Sequence, residues 1–286
     1  CRGSGRVGAH HRPPRSSLTM TEHADALFEE SGDRLAPTEL AAGPWDPANC
    51  HGGPPSALLA RAVEQHNHDE GVEWQVARLT IELLRPIRVR QPLRVVSTTE
   101  RAGRRISVVT ASLIDGENEV AGVRALRIRR REDELPSGVV PASTMPAPVE
   151  ESRPEVADFT DDRPSYVGHA CEFRFASGGW NQLGECAVWI RLLQPVIAGE
   201  SPSGLQRVAA AADFGNGVSA DVDFTSWLYI NPDLTIHLAR PADGEWIGLR
   251  ASSHLGGTGT GLAHSVLHDE NGPLGLSLQS LLVEPR

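Results

Sequence analysis

Apolar residues along this chain follow two rhythms. After the entry HGGPP, Leu58, Leu59, Ala62 and Val63 recur at helical spacing, and the prolines suit a first helical turn. Alternating runs then follow at Trp74–Leu83, Pro92–Glu100, Ile106–Asp115 and Val120–Arg129, bounded by turn sequences such as ERAGRR and IDGENE. The periodicity is lost from Arg131 to Pro164, where Pro136, Pro141, Pro146, Pro148 and Pro154 interrupt an acidic stretch. That composition predicts a linker or an extended crossing segment. Strands are predicted again at Glu172–Ala176 and Ala187–Leu193. A second helix follows in SPSGLQRVAAAADFGNG, opened by Ser201 or Ser203 and closed near Gly215. Strands at Leu234–Arg240, Trp246–Ser252, Gly261–Leu267 and Leu274–Val283 complete the pattern.

The second half repeats the first at an offset of about 155 residues, as a duplicated unit would. Leu79-Thr80-Ile81 falls on Leu234-Thr235-Ile236, Arg85-Pro86 on Arg240-Pro241, and the turn LIDGENEVAG on LHDENGPLG. The repeat predicts an α+β protein with pseudo-two-fold symmetry. Its expected parts are a disordered tail over 1–23, domains over 24–131 and 165–286, and a Pro-rich linker over 132–164.

Composition narrows the chemistry. All 27 basic side chains are arginine, and lysine is absent. That excludes Schiff-base lysines and P-loop lysines, because arginine does not give up its proton. A net charge of −10 and 5% aromatic content make nucleic acid a poor partner. The four cysteines show no CxxC pair and no zinc spacing, as expected of a reduced cytoplasmic protein. No apolar run approaches the roughly 18 residues of a membrane span. The N-terminal stretch lacks a signal peptide's apolar centre, and Met20 opens a more natural start.

A few positions can carry chemistry. Leu205, Val208, Ala209 and Ala212 form one helical stripe with Asp213 at its edge. Asp213 lies in the last turn, where the helix dipole disfavours an anion, so capping does not explain it. It is a solvent-facing acid at a frayed helix end, one held by a neighbouring arginine such as Arg207, or a functional acid. His51-Gly52-Gly53 heads the first helix, where free N–H groups and absent side chains allow a developing oxyanion to approach. Those glycines could equally serve only the turn. In LGLSLQSLLV, Gln279 shares a strand face with the small residues Gly275 and Ser277. The lookalikes are expected to be structural. GGTGTG (Gly256–Gly261) reads as a hairpin turn, HNHDE (His66–Glu70) as a solvated helix end, RIRRR (127–131) as a solvated strand end, and Cys50-His51 as no catalytic dyad.

A helix wrapped by a long antiparallel sheet, twice over, is the double hotdog arrangement. The HGG helix entry, the late acid of the second helix, the stretch from Asp233 to Pro241 and the final S-L-Q strand resemble the type II acyl-CoA thioesterases, the TesB-like double hotdogs. The resemblance spans residues 24 to 285. It implies a catalytic set of an acid, a Ser or Thr, and a Gln that hold the attacking water. Asp213 and Gln279 match two of these. Anchoring on Asp233 and Arg240-Pro241 places Asn231 at the hydroxyl position, a departure from the family. Thr235 lies nearby but needs a register shift.

The expected function is therefore hydrolysis of acyl-CoA thioesters to free fatty acid and CoA. Asp213, Asn231 and Gln279 would act on water, with His51, Gly52, Gly53 and Thr235 at the substrate. No metal or cofactor is called for, and exposed sheet edges favour a homo-oligomer. The departure at Asn231 leaves a rival open, a duplicated hotdog that only binds an acyl thioester or a protein partner. A hotdog dehydratase would need a His–acid pair, and for His51 the sequence offers no partner.

Overall fold

The computed structural model describes residues 24–66, 71–131, 143–160 and 162–286. The tail expected over 1–23 lies outside these residues. The chain opens with a hairpin of β1 (Phe28–Ser31) and β2 (Arg34–Pro37), followed by helix α1 (Gly53–Gln65). The first meander is β3 (Trp74–Glu82), β4 (Arg94–Arg101), β5 (Ile106–Asp115) and β6 (Asn118–Arg129). Next come β7 (Arg153–Pro154), β8 (Cys171–Ser177), β9 (Cys186–Leu192) and the helices α2 (Gly204–Ala212) and α3 (Gly215–Val218). β10 (Trp227–Ile230), β11 (Asp233–Leu238), β12 (Trp246–Leu255), β13 (Thr260–Asp269) and β14 (Gly272–Pro285) complete the chain.

All strands after the opening hairpin join one antiparallel sheet in the order β4-β5-β6-β3-β11-β14-β13-β12-β9-β8-β7, with β10 on β14. About the β3–β11 seam the strands β3-β6-β5-β4 are mirrored by β11-β14-β13-β12, and β9, β8 and β7 extend the second side. There Thr80 faces Thr235, while Ile81 faces Leu234 and Leu79 faces Ile236. The triplets that repeat in sequence are thus hydrogen-bonded neighbours in space. The fold is a double hotdog of the α+β class.

The helices pack on the sheet and on each other, α1 against β4, β5 and β6 and α2 against β9, β11, β12 and β13. Leu58, Leu59, Ala60 and Val63 of α1 are fully buried, so this helix is covered on several sides. The alanines 209–212 of α2 keep its surface thin, and the helices approach closely. A Cβ added at Gly53 would lie 2.7 Å from the Ala210 carbonyl oxygen. Ser203 caps α2 by accepting from the Gln206 N–H at 3.1 Å.

Three local expectations are revised. The stretch expected to link the halves supplies an edge strand, β7, and packs Met145 and Val149 on Trp189 and Trp246. His66 does not end α1 in solvent, because it is buried with its ring nitrogens on Ser97 Oγ (2.8 Å) and Thr99 Oγ1 (2.7 Å). The rest of that motif, residues 67–70, lies outside the described residues. Arg127 is also buried, donating to the His66 carbonyl and Ser107 Oγ with its guanidinium over Trp74. Strand alternation turns Arg127 inward and the end of α1 turns His66 onto β4, which a count of charges does not anticipate. The Gly256–Gly261 segment is the expected hairpin turn, closed by Gly256 N–H on the Thr260 carbonyl. No helix among the described residues is long and apolar enough to cross a membrane.

Candidate active site

The second helix ends one residue before Asp213, which serves as its C-cap in right-handed helical geometry. This turn is held from behind. Gln279 Nε2 donates to the Asp213 carbonyl at 3.2 Å, and Gln279 Oε1 accepts from the Asn216 N–H at 3.0 Å. Gly215 makes room for this amide, since a Cβ there would lie 2.6 Å from Gln279 Oε1. Gln279 is therefore buried and committed to the backbone that carries Asp213, and it does not line the cavity described below.

The Asp213 carboxylate is itself buried and points at the start of α1. Its Oδ2 lies 2.9 Å from His51 Nδ1, and its Oδ1 accepts from Asn231 Nδ2 at 2.8 Å. Asn231 is steadied by a second bond to the Asp233 carbonyl and by Asn216. Gly52 is required sterically. A Cβ there would sit 2.6 and 2.8 Å from the two Asp213 oxygens. His51 Nδ1 also lies 3.1 Å from the Gly53 N–H. When Nδ1 carries a proton it donates to Asp213, and when it is bare it accepts from Gly53.

Rings fix the imidazole. His51 contacts Tyr166 and Phe214, with centroids at 5.0 and 4.6 Å, and those two rings stack on each other. Tyr166 donates to the Ala210 carbonyl at 3.0 Å. Burial holds its phenol well above the usual pKa, so it stays neutral. Burial likewise pushes the neighbouring Cys50 thiol up to about 12, so it is no nucleophile at neutral pH.

These groups open on a cavity of about 860 Å³ lined by His51, Gly52, Asp213 and Asn231. Aromatic side chains form much of its wall, including Trp45, Phe159, Trp180, Phe224 and Tyr229. The site thus brings together Asp213, Asn231, His51 and Gly52. Gly53 serves the helix contact, and Thr235 lies in the seam opposite Thr80, away from the cavity lining. Arg207 makes no bond to Asp213. Sequence reading found no acid for His51, missed Asn216, and had no local signal for the ring clamp, since each contact crosses between repeats or distant segments. Among the described residues no cluster of His, Cys, Asp and Glu is suited to a metal ion.

The site is thus a buried carboxylate of the second hotdog repeat facing the glycine-rich helix start of the first. Family comparison matches residues 41–128 to the acyl-CoA thioesterase N-terminal domain and residues 141–283 to the acyl-CoA thioesterase C-terminal domain. The chain belongs to the acyl-CoA thioesterase family. Solved structures share its fold at low identity. A candidate thioesterase from Novosphingobium aromaticivorans DSM 12444 is 19% identical, with 91% of this chain and 99% of that one covered and a TM-score of 0.69. A hot dog fold protein of unknown function from Alicyclobacillus acidocaldarius is 16% identical, with 92% and 97% covered and a TM-score of 0.68. Acyl-CoA thioesterase II from Mycobacterium marinum is 14% identical, with 91% and 96% covered and a TM-score of 0.61. No curated protein matches the sequence.

Proposed function

We propose that this protein hydrolyses acyl-CoA thioesters to the free acid and CoA, with Asp213 as general base. The observation that carries the reading is the Asp213 carboxylate, buried yet lining the cavity and held by His51 and Asn231 against the first residues of α1. Water beside Asp213 gives it a proton as the water oxygen adds to the thioester carbon. The negative charge then moves to the former carbonyl oxygen. The Gly52 N–H, at the start of α1 on the cavity wall, would receive it, while the Gly53 N–H already meets His51 Nδ1. Collapse breaks the C–S bond, and the departing thiolate recovers the proton from Asp213. A thiolate leaves readily, so a positioned water and a modest base suffice. Asn231 in place of a hydroxyl keeps a donor on Asp213 Oδ1. Gln279 acts as a positioning residue for the turn.

Free-thiol release from short, medium and long acyl-CoAs tests the assignment. Asp213→Asn is expected to slow release by about 100-fold or more, in the range of a lost general base. Equal rates in both proteins would sink the assignment, and no release at any chain length would favour a binding-only role.

One observation favours a second reading. His51 and Asp213 form the His–acid pair that water addition to or removal from an enoyl thioester would use. The same assay with an α,β-unsaturated acyl-CoA separates the two. Hydrolysis releases thiol and keeps the conjugated double bond, whereas hydration removes the conjugation without releasing thiol.

A further inference from the structure

Strands β3 and β11 run into the same dipeptide, Arg85-Pro86 and Arg240-Pro241, yet the two arginines live differently. Thr80 pairs with Thr235 across the seam, so Arg85 and Arg240 are equivalents. The backbone agrees: Leu84 N–H bonds to the Val120 carbonyl at 3.0 Å, and Ala239 N–H to the Leu274 carbonyl at 2.8 Å. Their potential acid partners are equivalent too, since Asp115 ends β5 as Asp269 ends β13.

In the second repeat Arg240 is locked. It forks onto both oxygens of buried Asp269, with Nη1 to Oδ2 at 2.6 Å, and also reaches the Gly272 carbonyl. In the first repeat Asp115 accepts instead from Gln91 Nε2 at 2.9 Å. Arg85 has no acceptor for its guanidinium among the described residues. Its main chain is nevertheless fixed, because its N–H bonds to Val120 at 3.1 Å and a proline follows. Arg85 is exposed and lines the cavity that holds Asp213. Among the described residues it is the one arginine of that lining, and the other charged side chains there besides Asp213 are Asp46, Asp158 and Asp223. An anionic headgroup therefore meets attraction at Arg85 and repulsion at the three outer carboxylates.

We infer that Arg85 is a phosphate-binding residue of this site, released from its ancestral carboxylate to take a phosphate of the nucleotide end of the thioester. A planar guanidinium fork on a rigid backbone suits two parallel hydrogen bonds to phosphate oxygens. This rests on the acyl-thioester reading above.

The test compares wild type, Arg85→Ala, Arg85→Lys and the control Arg88→Ala, a neighbour on the same segment outside the cavity lining. Two readouts are used: kcat/KM for an acyl-CoA relative to the same acyl group on N-acetylcysteamine, and calorimetric titration with CoA alone. Arg85→Ala is expected to lower the CoA-to-cysteamine preference about tenfold, through KM, and to weaken CoA binding about tenfold, as loss of a charge-assisted contact would. Lysine should restore part of both, and Arg88→Ala should match wild type. An unchanged preference and affinity, or equal losses on both thioesters, would overturn the inference. If wild type hydrolyses neither thioester, the hydrolysis reading fails while the titration still decides: weaker CoA binding by Arg85→Ala upholds the inference, and equal binding or none by either protein rejects it.

Discussion

The two helices meet twice, once at each end, and the ends have been put to different uses. At one end Asp213, capping α2, faces the start of α1, and its carboxylate fills the space that a side chain at Gly52 would need. At the other end Glu64, near the end of α1, faces the start of α2. There it accepts from Ser203 Oγ at 2.7 Å and Gln206 Nε2 at 3.2 Å, while Arg61 forks onto Glu200. The Ala242 carbonyl occupies the space beside Gly204. Both ends set a carboxylate against a helix start. In the first the acid lies against bare backbone beside the 860 Å³ cavity, and in the second side chains cap the helix, a carbonyl abuts Gly204 and the adjoining cavity is smaller, about 350 Å³. Duplication supplied the geometry, and the local occupants decide where chemistry is possible.

The sharpest contrast between repeats lies in the arginine pair. Arg240→Ala would strand Asp269 as a buried charge and is expected to cost about 3 kcal/mol or more, whereas Arg85→Ala should stay within about 0.5 kcal/mol. Urea midpoints of the two variants measure this, and similar midpoints would remove the contrast. Burial raises the Asp269 pKa, but the Arg240 hydrogen bonds and charge and the Asp243 and Asn271 amides outweigh it, leaving it lowered. A carboxylate with a lowered folded-state pKa stabilises above its unfolded pKa of about 3.9. In wild type that contribution should fade as pH falls below this value, and in Arg240→Ala the acid limb of stability should move upward.

The glycines come next. Gly52→Ala would push a Cβ into the Asp213 carboxylate, and thiol release is expected to fall about 100-fold, as displaced reacting groups do. Gly204→Ala, in the first residue of α2, meets a carbonyl and should cost about 2 kcal/mol of stability instead, with the rate per folded molecule kept. Rate loss in both, or in neither, would erase the distinction between the ends. The smallest effect is expected at Glu64. Glu64→Gln should lower stability by about 1 kcal/mol by weakening the Ser203 and Gln206 bonds, with thiol release within about twofold of wild type. A large rate loss there would mean that the second end also takes part in the chemistry.

The repeat was legible because it is written in the strands. Leu79-Thr80-Ile81 and Leu234-Thr235-Ile236 align by eye, and the structure pairs them directly. Anchoring on Asp233 and Arg240-Pro241 puts Asn231 at the family's hydroxyl position, and its amide donates to Asp213 at 2.8 Å. What stayed hidden depends on contacts between distant segments. No local pattern joins His51 to Asp213, or packs the imidazole against the stacked rings of Tyr166 and Phe214. Alternation in β14 separated Gln279 from its leucine neighbours but not inside from outside. The structure buries Gln279 and Ser277 and leaves Leu276 and Leu278 exposed. Arg127 and His66 were read as solvated because charge counts ignore which side of a strand or helix end faces the core.

The seam between β3 and β11 has one more consequence. The acid of the site comes from the second repeat and its histidine from the first, so two separate polypeptides would assemble it only at concentrations that favour association. Here the join is intramolecular, and each repeat sees the other at a fixed, high effective concentration. Dilution cannot take the site apart, and specific activity should hold constant down to the lowest protein concentrations an assay can read.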